Sequence, residues 1–374
     1  MHRVDTLDSI AAYRLEVPLT KPYRLAFGPV EHYDTIIVVA TDCRGRRGLG
    51  EATVLTGYTS ETIDEAWRVA REVAARLVDE TPEARRASVS RLAAVHPFTA
   101  TAFGTALEML DAGDRLFAPA VRVALVGLLD AREEEAIAEQ FDTLLAAGYR
   151  TMKIKVGFDV VDDARFVRAV QRAGRRRARI RIDANQGYTA DEGVAFVRSL
   201  DPQDIELFEQ PCAAGDWDAH RQVARASSVP LMLDESIYGM ADIEKAAQLG
   251  CAQFVKVKLM KFVTLDSLAA AIERIRALGM QPVLGNGVAC DLGCWLEALV
   301  AARHIDNAGE MNGFLKTKVA LLERRLAFES GAIALEEGRA PGLDMDSVQR
   351  FCVDSMRVVA GASVRGSRHR HESN

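Results

Sequence analysis

From residue 121 onward, short apolar runs of this 374-residue chain alternate with longer amphipathic stretches. The runs recur every 24 to 30 residues, at 121–129, 151–156, 180–184, 205–208, 230–233, 254–259 and 282–284, with a weaker eighth run at 309–311. Such alternation predicts parallel strands joined by right-handed helical crossovers. No Gly-rich dinucleotide-binding loop follows the early runs, so a closed eight-stranded barrel is favoured over a doubly wound open sheet.

The amphipathic stretches between the runs predict the crossover helices of this barrel. We expect these helices near 132–147, 159–174, 190–200, 215–226, 240–249, 264–279 and 291–304.

The first 120 residues have a different pattern, which predicts an α+β domain. Apolar runs at 10–19 and 35–40 and a turn-forming segment at 43–48 indicate a β-hairpin. Three helices are predicted over 60–79, 82–94 and 99–117. We therefore divide the chain into an α+β domain at 1–120, a barrel at 121–318, a segment at 319–360 that packs back on the first domain, and a disordered tail at 361–374.

Charge and composition exclude several classes of protein. The 47 basic and 53 acidic residues give a net charge of −6, which argues against a nucleic-acid or membrane-surface partner. No apolar run reaches the length of about 18 residues that a membrane helix needs, and the first residues lack the apolar core of a secretory signal. None of the six cysteines forms a C-x-x-C pair, which disfavours zinc-ribbon and thioredoxin-like sites. We expect a cytoplasmic protein.

Charged and amide side chains interrupt the predicted strands at their carboxyl ends, where barrel enzymes carry their active sites. They are Lys153, Lys155, Asp183, Asn185, Glu209, Asp234, Glu235, Lys256 and Lys258. Three carboxylates, at 183, 209 and 234, are spaced 26 and 25 residues apart and so belong to successive strands. Residues two apart share a face of a strand, so the lysines of each strand point the same way. Because ionised groups in a barrel are costly unless they are paired or bind a metal, this pattern predicts a charged site.

Asp183, Glu209 and Asp234 offer three converging oxygen ligands, which suit Mg²⁺ with Mn²⁺ as the alternative ion. No histidine lies at these positions, which disfavours zinc. Strands 2 and 6 face each other in an eight-stranded ring, so Lys155 and Lys258 would lie on opposite sides of the metal. A lysine on each side provides a base for each face of a carbon acid, the Lys-and-Mg²⁺ arrangement that is typical of the enolase superfamily.

The whole set resembles the enolase superfamily, specifically its muconate-lactonizing-enzyme-like subgroup within the mandelate racemase/muconate lactonizing enzyme family. The matching motifs are KIK at 153–155, DAN at 183–185, EQP at 209–211, DES at 234–236 and KLMK at 258–261. The resemblance implies metal binding by the three carboxylates, an acid/base pair of Lys155 and Lys258, and stabilisation of an enolate by Lys153. It gives Asn185 and Glu235 supporting roles beside these groups.

The resemblance also implies an architecture, a modified TIM barrel of (β/α)7β type with an α+β capping domain that the C-terminal segment completes. GLGEA at 48–52 is similar to the end of the family's capping sheet, and APGLDMD at 340–346 to its C-terminal return segment. The end of strand 7, at 285–287, lacks the histidine of the mandelate-racemase subgroup, which disfavours that branch.

The substrate contacts differ from the patterns of the subgroup. KLMK is typical of dipeptide epimerases, whose strand 8 carries an Asp-x-Asp that holds the substrate ammonium, whereas this chain has Glu-Met-Asn at 310–312. A glutamate there could hold an ammonium, but cycloisomerases also have one. The capping loops at 24–33 and 53–60 are expected to close over the barrel and set specificity. The candidate contacts are Glu310, Asn312, Asn286, Tyr58 and Arg24.

These residues predict Mg²⁺-dependent removal of the α-proton of a small carboxylate substrate, followed by its return to the opposite face. The favoured reaction is racemisation or epimerisation of an N-acyl amino acid, a dipeptide or an imino acid. A muconate-type cycloisomerase or a β-hydroxy-acid dehydratase would use the same groups and stays open. A Schiff-base aldolase and a non-enzymatic barrel are rivals that the complete set of carboxylates and lysines disfavours.

Domains of this barrel type commonly form symmetric assemblies, so we expect a homo-oligomer.

Overall fold

The computed structural model describes residues 6–25, 28–56, 61–113, 116–339, 342–361 and 365–367, and it describes only the backbone at 23–25, 339 and 365–367. The strands are β1 (Leu7–Leu25), β2 (Gly28–Asp42), β3 (Arg47–Thr53), β4 (Phe117–Ala118), β5 (Val121–Ala124), β6 (Gly127–Leu128), β7 (Thr151–Lys155), β8 (Arg179–Asp183), β9 (Ile205–Glu209), β10 (Leu231–Leu233), β11 (Phe254–Val257), β12 (Gln281–Leu284), β13 (Ala327–Glu329), β14 (Ala332–Leu335), β15 (Gly338–Arg339), β16 (Cys352–Val359) and β17 (Arg365–Ser367).

The α-helices are α1 (Ile63–Leu77), α2 (Pro82–Ala93), α3 (Pro97–Ala112), α4 (Glu134–Ala146), α5 (Val160–Gly174), α6 (Ala190–Ser199), α7 (Trp217–Ala226), α8 (Met240–Leu249), α9 (Leu259–Phe262), α10 (Leu265–Ala277), α11 (Asp291–His304) and α12 (Met345–Arg350). The barrel helices differ from their predicted bounds by at most two residues at either end. Side chains that accept backbone N–H groups fix several of their starts, for example Asp159 before α5 and Thr189 in a capping box with Glu192.

The first sheet is antiparallel, in the order β17-β16-β1-β2-β3. Strand β16 comes from the C-terminal segment and pairs with β1 from Ser9 opposite Val359 to Leu15 opposite Cys352. The three N-terminal helices share a hydrophobic core with this sheet, in which Trp67 and Phe103 are buried. Chain from both ends of the sequence therefore contributes strands to this sheet. Of the predicted disordered tail, 365–367 form β17 and the rest lies largely outside the described residues.

A parallel sheet forms the second domain, in the order β6-β7-β8-β9-β10-β11-β12. The segment at 309–311 lies between the two edges of this sheet. The N–H of Val126 donates to the carbonyl of Gly309, while the N–H of Glu310 donates to the carbonyl of Leu284 at the end of β12. The ring is thereby closed, which confirms the predicted fold class. We number barrel strands 1 to 7 as β6 to β12, and the segment at 309–311 as strand 8.

The prediction of one strand over 121–129 was wrong. The structure divides this run into β5, which pairs antiparallel with β14, and β6, which pairs with β7 in the barrel. The division arises because the C-terminal segment pairs with the first half of the run, a long-range contact that apolar periodicity does not show.

None of the helices in the described part of the chain combines the length and the apolar character needed to cross a bilayer.

Candidate active site

Four side chains form a closed square of alternating charge inside the barrel, and they come from strands 2, 4, 6 and 8. Lys153 Nζ lies 2.7 Å from Glu209 Oε2 and 2.9 Å from Glu310 Oε1. Lys256 Nζ lies 2.9 Å from Glu209 Oε1 and 2.7 Å from Glu310 Oε2. Barrel interiors are built in layers of four side chains from alternate strands, which are usually bulky and apolar. Here one such layer is made of ion pairs.

A second set of charges lies nearer to the carboxyl ends of the strands. On one side, Lys155 Nζ is 2.7 Å from Asp183 Oδ2 and also hydrogen-bonds to Asn185 Oδ1. The amide of Asn185 in turn donates to Glu235 Oε1 at 3.0 Å. The Asn185 backbone adopts a left-handed φ of 41°, a conformation that asparagine tolerates better than most residues.

On the other side, two ammonium groups hold the two carboxylate oxygens of Asp234. Lys258 Nζ lies 2.8 Å from Oδ2, and Lys261 Nζ lies 3.0 Å from Oδ1. Lys261 follows Lys258 by one helical turn of α9 and stacks on the ring of Tyr238 at 4.7 Å. The KLMK motif therefore places both of its lysines on the same aspartate.

The charges are arranged symmetrically about the line that joins strands 4 and 8. Paired lysines lie on strands 2 and 6, an aspartate ends each of strands 3 and 5, and a glutamate lies on each of strands 4 and 8. The inner lysine on each side shares an aspartate oxygen with the outer one. Lys153 and Lys155 lie 2.9 and 2.7 Å from Asp183 Oδ2, while Lys256 and Lys258 lie 3.5 and 2.8 Å from Oδ2 of the aspartate on strand 5.

Burial distinguishes the two outer lysines. The side chain of Lys155 is 50% exposed, whereas that of Lys258 is 8% exposed. The inner lysines are buried. Burial alone would lower the pKa of Lys153, but the carboxylates of Asp183, Glu209 and Glu310 raise it well above its ordinary value.

Burial and the neighbouring lysines shift the pKa values of the acidic groups in opposite directions. Burial opposes ionisation of Asp234, but three lysines around it hold its pKa well below the usual range. The pKa of Glu310 is lowered in the same way by Lys153 and Lys256, against the effect of burial. Burial raises the pKa of Glu209 to about 7, with a further contribution from Asp183. Burial also lowers the pKa of Lys261 to about 8.

The donor set fits a hard cation such as Mg²⁺. Asp183, Glu209 and Asp234 end three neighbouring strands, are at most 2% exposed, and offer only carboxylate oxygens. Beside them, Glu235 Oε2 is buried and has no hydrogen-bond partner among the described residues. Lysine ammonium groups separate the three carboxylates. Another group of possible metal ligands lies on the capping sheet. There, among the described residues, ligand atoms of Glu16, His32 and Asp34 lie within 4.8 Å of one another.

The candidate substrate contacts have different surroundings. Both oxygens of Glu310 accept from lysines. Asn312 is 6% exposed, and its Oδ1 has no hydrogen-bond partner among the described residues. The side chain of Asn286 bonds to its own loop, donating to the carbonyl of Val288 and accepting its N–H. Tyr58 and the side chain of Arg24 lie outside the described residues.

Sequence reasoning did not assign roles to several residues of this site. Lys256 and Lys261 complete the ion pairs. Lys256 could have been recognised, because strand 6 repeats the Lys-x-Lys pattern of strand 2. Gln210 ties strand 4 to strand 5, since its Oε1 accepts the N–H of Asp234 at 2.9 Å. Glu297 of α11 accepts the N–H groups of Leu259 and Asn286, which follow strands 6 and 7. The EQP motif contains Gln210 but does not indicate this contact, and the contacts of Glu297 have no local sequence signature.

Comparisons with known proteins identify a family and several similar proteins. A family model described as enolase C-terminal domain-like matches residues 136–347. The chain is 27% identical over 321 residues to an aromatic dipeptide epimerase of Herpetosiphon aurantiacus, covering 82% of this chain and 87% of that protein. The crystal structure of a Cytophaga hutchinsonii dipeptide epimerase, complexed with Mg and the dipeptide D-Ala-L-Val, has a TM-score of 0.84 at 20% identity, covering 94% of this chain and 99% of that one. An N-succinyl Arg/Lys racemase from Bacillus cereus has the same TM-score at 22% identity, covering 94% of this chain and 100% of that one.

Proposed function

Since this chain belongs to the enolase superfamily and, within it, to the muconate-lactonizing-enzyme-like subgroup of isomerases, we propose that it racemises or epimerises an amino-acid derivative. The reaction removes the proton α to a carboxylate and returns a proton to the opposite face. The observation that carries this proposal is the symmetry of the lysines, with Lys155 on strand 2 and Lys258 on strand 6, each held by its own aspartate.

Inversion of a carbon centre needs one acid/base group on each face of the planar enolate. One lysine, as the neutral amine, takes the α-proton and becomes an ammonium. The opposite lysine, as the ammonium, delivers a proton to the other face and becomes the amine. A cycloisomerase or a dehydratase would use the same groups for different bonds, so inversion is favoured over them by the epimerases and racemases among the similar proteins.

Asp183, Glu209 and Asp234 would hold Mg²⁺, which when bound supplies positive charge to the substrate carboxylate as negative charge develops on it. The five carboxylates at 183, 209, 234, 235 and 310 and the five lysines at 153, 155, 256, 258 and 261 cancel in formal charge. A divalent cation therefore leaves the site positive, which favours an anionic substrate and its more highly charged enolate. Lys153 adds positive charge from the buried side of the site, where the neighbouring carboxylates raise its pKa.

The polar groups near strand 8 favour a substrate whose nitrogen is acylated. Glu310 accepts from two lysines through both oxygens, so it offers no free carboxylate to a substrate ammonium. Asn312 Oδ1 is a buried acceptor with no partner among the described residues, which suits the N–H of an amide. N-acyl amino acids carry such an N–H without a free amine, so we place them ahead of dipeptides.

Proton NMR in D₂O tests the proposal with N-acetyl and N-succinyl amino acids, dipeptides, proline derivatives and muconate, each with Mg²⁺ and with EDTA. We expect metal-dependent loss of the α-proton signal, together with inversion, for N-acyl amino acids. Lys155→Ala and Lys258→Ala should each abolish inversion, and each should retain exchange for only one enantiomer. A fully active Lys155→Ala variant, or conversion of muconate to a lactone without α-proton exchange elsewhere, would overturn the proposal.

A further inference from the structure

The proposed reaction does not yet explain the presence of Lys256 in the charge square. Its side chain is 3% exposed, and its ammonium lies 2.9 Å from Glu209 and 2.7 Å from Glu310. Burying an ion pair in this way is often no better for stability than apolar packing. Stability of the barrel alone therefore does not explain why a lysine is present at position 256.

The surroundings of Lys256 reproduce those of Lys153 on the opposite side. Both contact Glu209 and Glu310, one through each oxygen of Glu209. Each also lies beside the aspartate that holds the outer lysine of its own strand. Lys256 shares Oδ2 of Asp234 with Lys258, at 3.5 and 2.8 Å respectively.

We propose that Lys256 is a positioning residue for the strand-6 half of the reaction. It holds Glu209 and Asp234 in place, and through Asp234 it fixes the Lys258 ammonium against its face of the substrate. Lys153 does the same for Lys155 through Asp183. The inference rests on the proposed function, because it assigns each inner lysine to one of the two proton-transfer directions.

The roles differ in a way that kinetics can resolve. Without Lys256, Lys258 still contacts Asp234 Oδ2 and Lys261 still contacts Oδ1, but Asp234 and Lys258 lose one of the charges that orient them. The strand-2 side keeps its own inner lysine and its own aspartate. A purely structural residue would affect both sides of the barrel alike, whereas a positioning residue of this kind affects one enantiomer more than the other.

The experiment measures α-proton exchange in D₂O for each enantiomer of the best substrate, with saturating Mg²⁺. Lys258→Ala first shows which enantiomer loses exchange with the strand-6 base. In Lys256→Met, exchange of that same enantiomer should fall at least tenfold relative to the other. In Lys153→Met both rates should fall, because Lys153 also stabilises the shared enolate, but the enantiomer that is affected more should be the other one. Arg181→Met is the matched control, since Arg181 is also fully buried in the barrel but pairs with Glu206, and it should change both rates by a similar factor.

Equal losses for the two enantiomers in Lys256→Met would overturn the proposal. If that variant fails to fold, Lys256→Gln provides the same comparison with a polar side chain. If the wild-type protein exchanges no α-proton from any compound, the proposed function fails separately. The crystal structure of Lys256→Met then decides the positioning role, which displaced Glu209 and Asp234 side chains support and unmoved ones contradict.

Discussion

At the scale of single residues, Glu310 shows how closely charge is matched in this barrel. It is 6% exposed and accepts from Lys153 and Lys256, whose ammonium groups are themselves buried. Replacing it with glutamine keeps the shape but leaves two buried cations with one fewer counter-charge. Removing one partner of a buried ion pair costs about 3–5 kcal/mol, far more than the same change at the surface.

We therefore expect Glu310→Gln to lower the free energy of unfolding by about 3–5 kcal/mol in denaturant titrations. Glu329→Gln is the control, because Glu329 pairs with Arg122 at the surface with both side chains more than half exposed. That variant should change stability by at most about 1 kcal/mol. Equal effects of the two substitutions would show that the square contributes no more than a surface pair.

The residues of the site were predictable to the extent that each marks the end of a strand. Asp183, Glu209 and Asp234 were found because regular spacing places one carboxylate on each successive strand. The partners of Glu310 could not be found in this way. They are Lys153 and Lys256, which lie 157 and 54 positions before it in the sequence. Sequence spacing predicts the position of a residue along its strand, but not which charged side chain it contacts there.

At the scale of elements, two glycines of β3 allow this strand to pack closely against helix α3 in the capping domain. A Cβ at Gly48 would lie 1.9 Å from the carbonyl oxygen of Ala106, and one at Gly50 would lie 1.9 Å from that of Ala102. Helix α3 therefore packs directly on the backbone of β3, and no larger residue fits at either position. This contact explains both glycines of the GLGEA segment.

Gly50→Ala should lower the melting temperature, because the methyl group would push α3 off the sheet. Overpacking of this kind costs typically about 1–3 kcal/mol. Gly215→Ala is a matched control, since no atom lies within 4 Å of a Cβ placed there, and we expect a change below about 1 kcal/mol. Thermal unfolding followed by circular dichroism makes the comparison, and an undisturbed Gly50→Ala variant would contradict the packing argument.

The same strand also docks the cap on the barrel. Glu51 Oε1 accepts the N–H of Cys290 at 2.6 Å, and Oε2 accepts that of Gly293 at 2.8 Å, at the start of α11. Burial raises the pKa of Glu51 from 4.5 to about 7, although these N–H groups partly oppose the shift. Between pH 4.5 and 7 the unfolded chain has lost this proton while the folded protein keeps it, so the contribution of Glu51 to stability falls as the pH rises.

Comparison with Glu51→Gln isolates this effect, because the variant cannot ionise. The difference in free energy of unfolding, wild type minus variant, should fall by about 3 kcal/mol between pH 4 and 8, since 7 − 4.5 = 2.5 pKa units correspond to about that much. Denaturant titrations at several pH values measure it. A difference that is constant with pH, or that rises, would show that Glu51 ionises normally in the folded protein.

Element boundaries were more predictable than element partners. The bounds of the barrel helices follow from local patterns and caps, such as Thr189 with Glu192. The run at 121–129 was misread because β14, more than 200 residues later, pairs with its first half. A strand can be recognised from its own residues, but its sheet depends on which distant segment reaches it.

At the scale of the whole molecule, the balance of lysines and carboxylates has a consequence for the protein without metal. Five lysines contact or lie beside the carboxylates of the site, and every carboxylate proposed as a ligand already has an ammonium within 3.0 Å. A site of three unpaired buried carboxylates would repel itself and destabilise the barrel. In this chain the lysines supply the neutralising charge, so folding does not require the cation.

We therefore expect EDTA to abolish activity while the protein stays folded. Metal that binds only the folded state stabilises it by about 2.7 kcal/mol at a hundredfold excess over Kd. For a chain of 374 residues, with an unfolding entropy of about 2.1 cal/mol/K per residue, this raises the melting temperature by only about 3 °C. Calorimetry with and without Mg²⁺ measures the shift. Asp234→Asn should abolish it, whereas Asp64→Asn, which alters an exposed aspartate of the cap, should preserve it. Unfolding on removal of the metal would show that the lysines do not neutralise the site, and would remove the charge argument on which the anionic substrate rests.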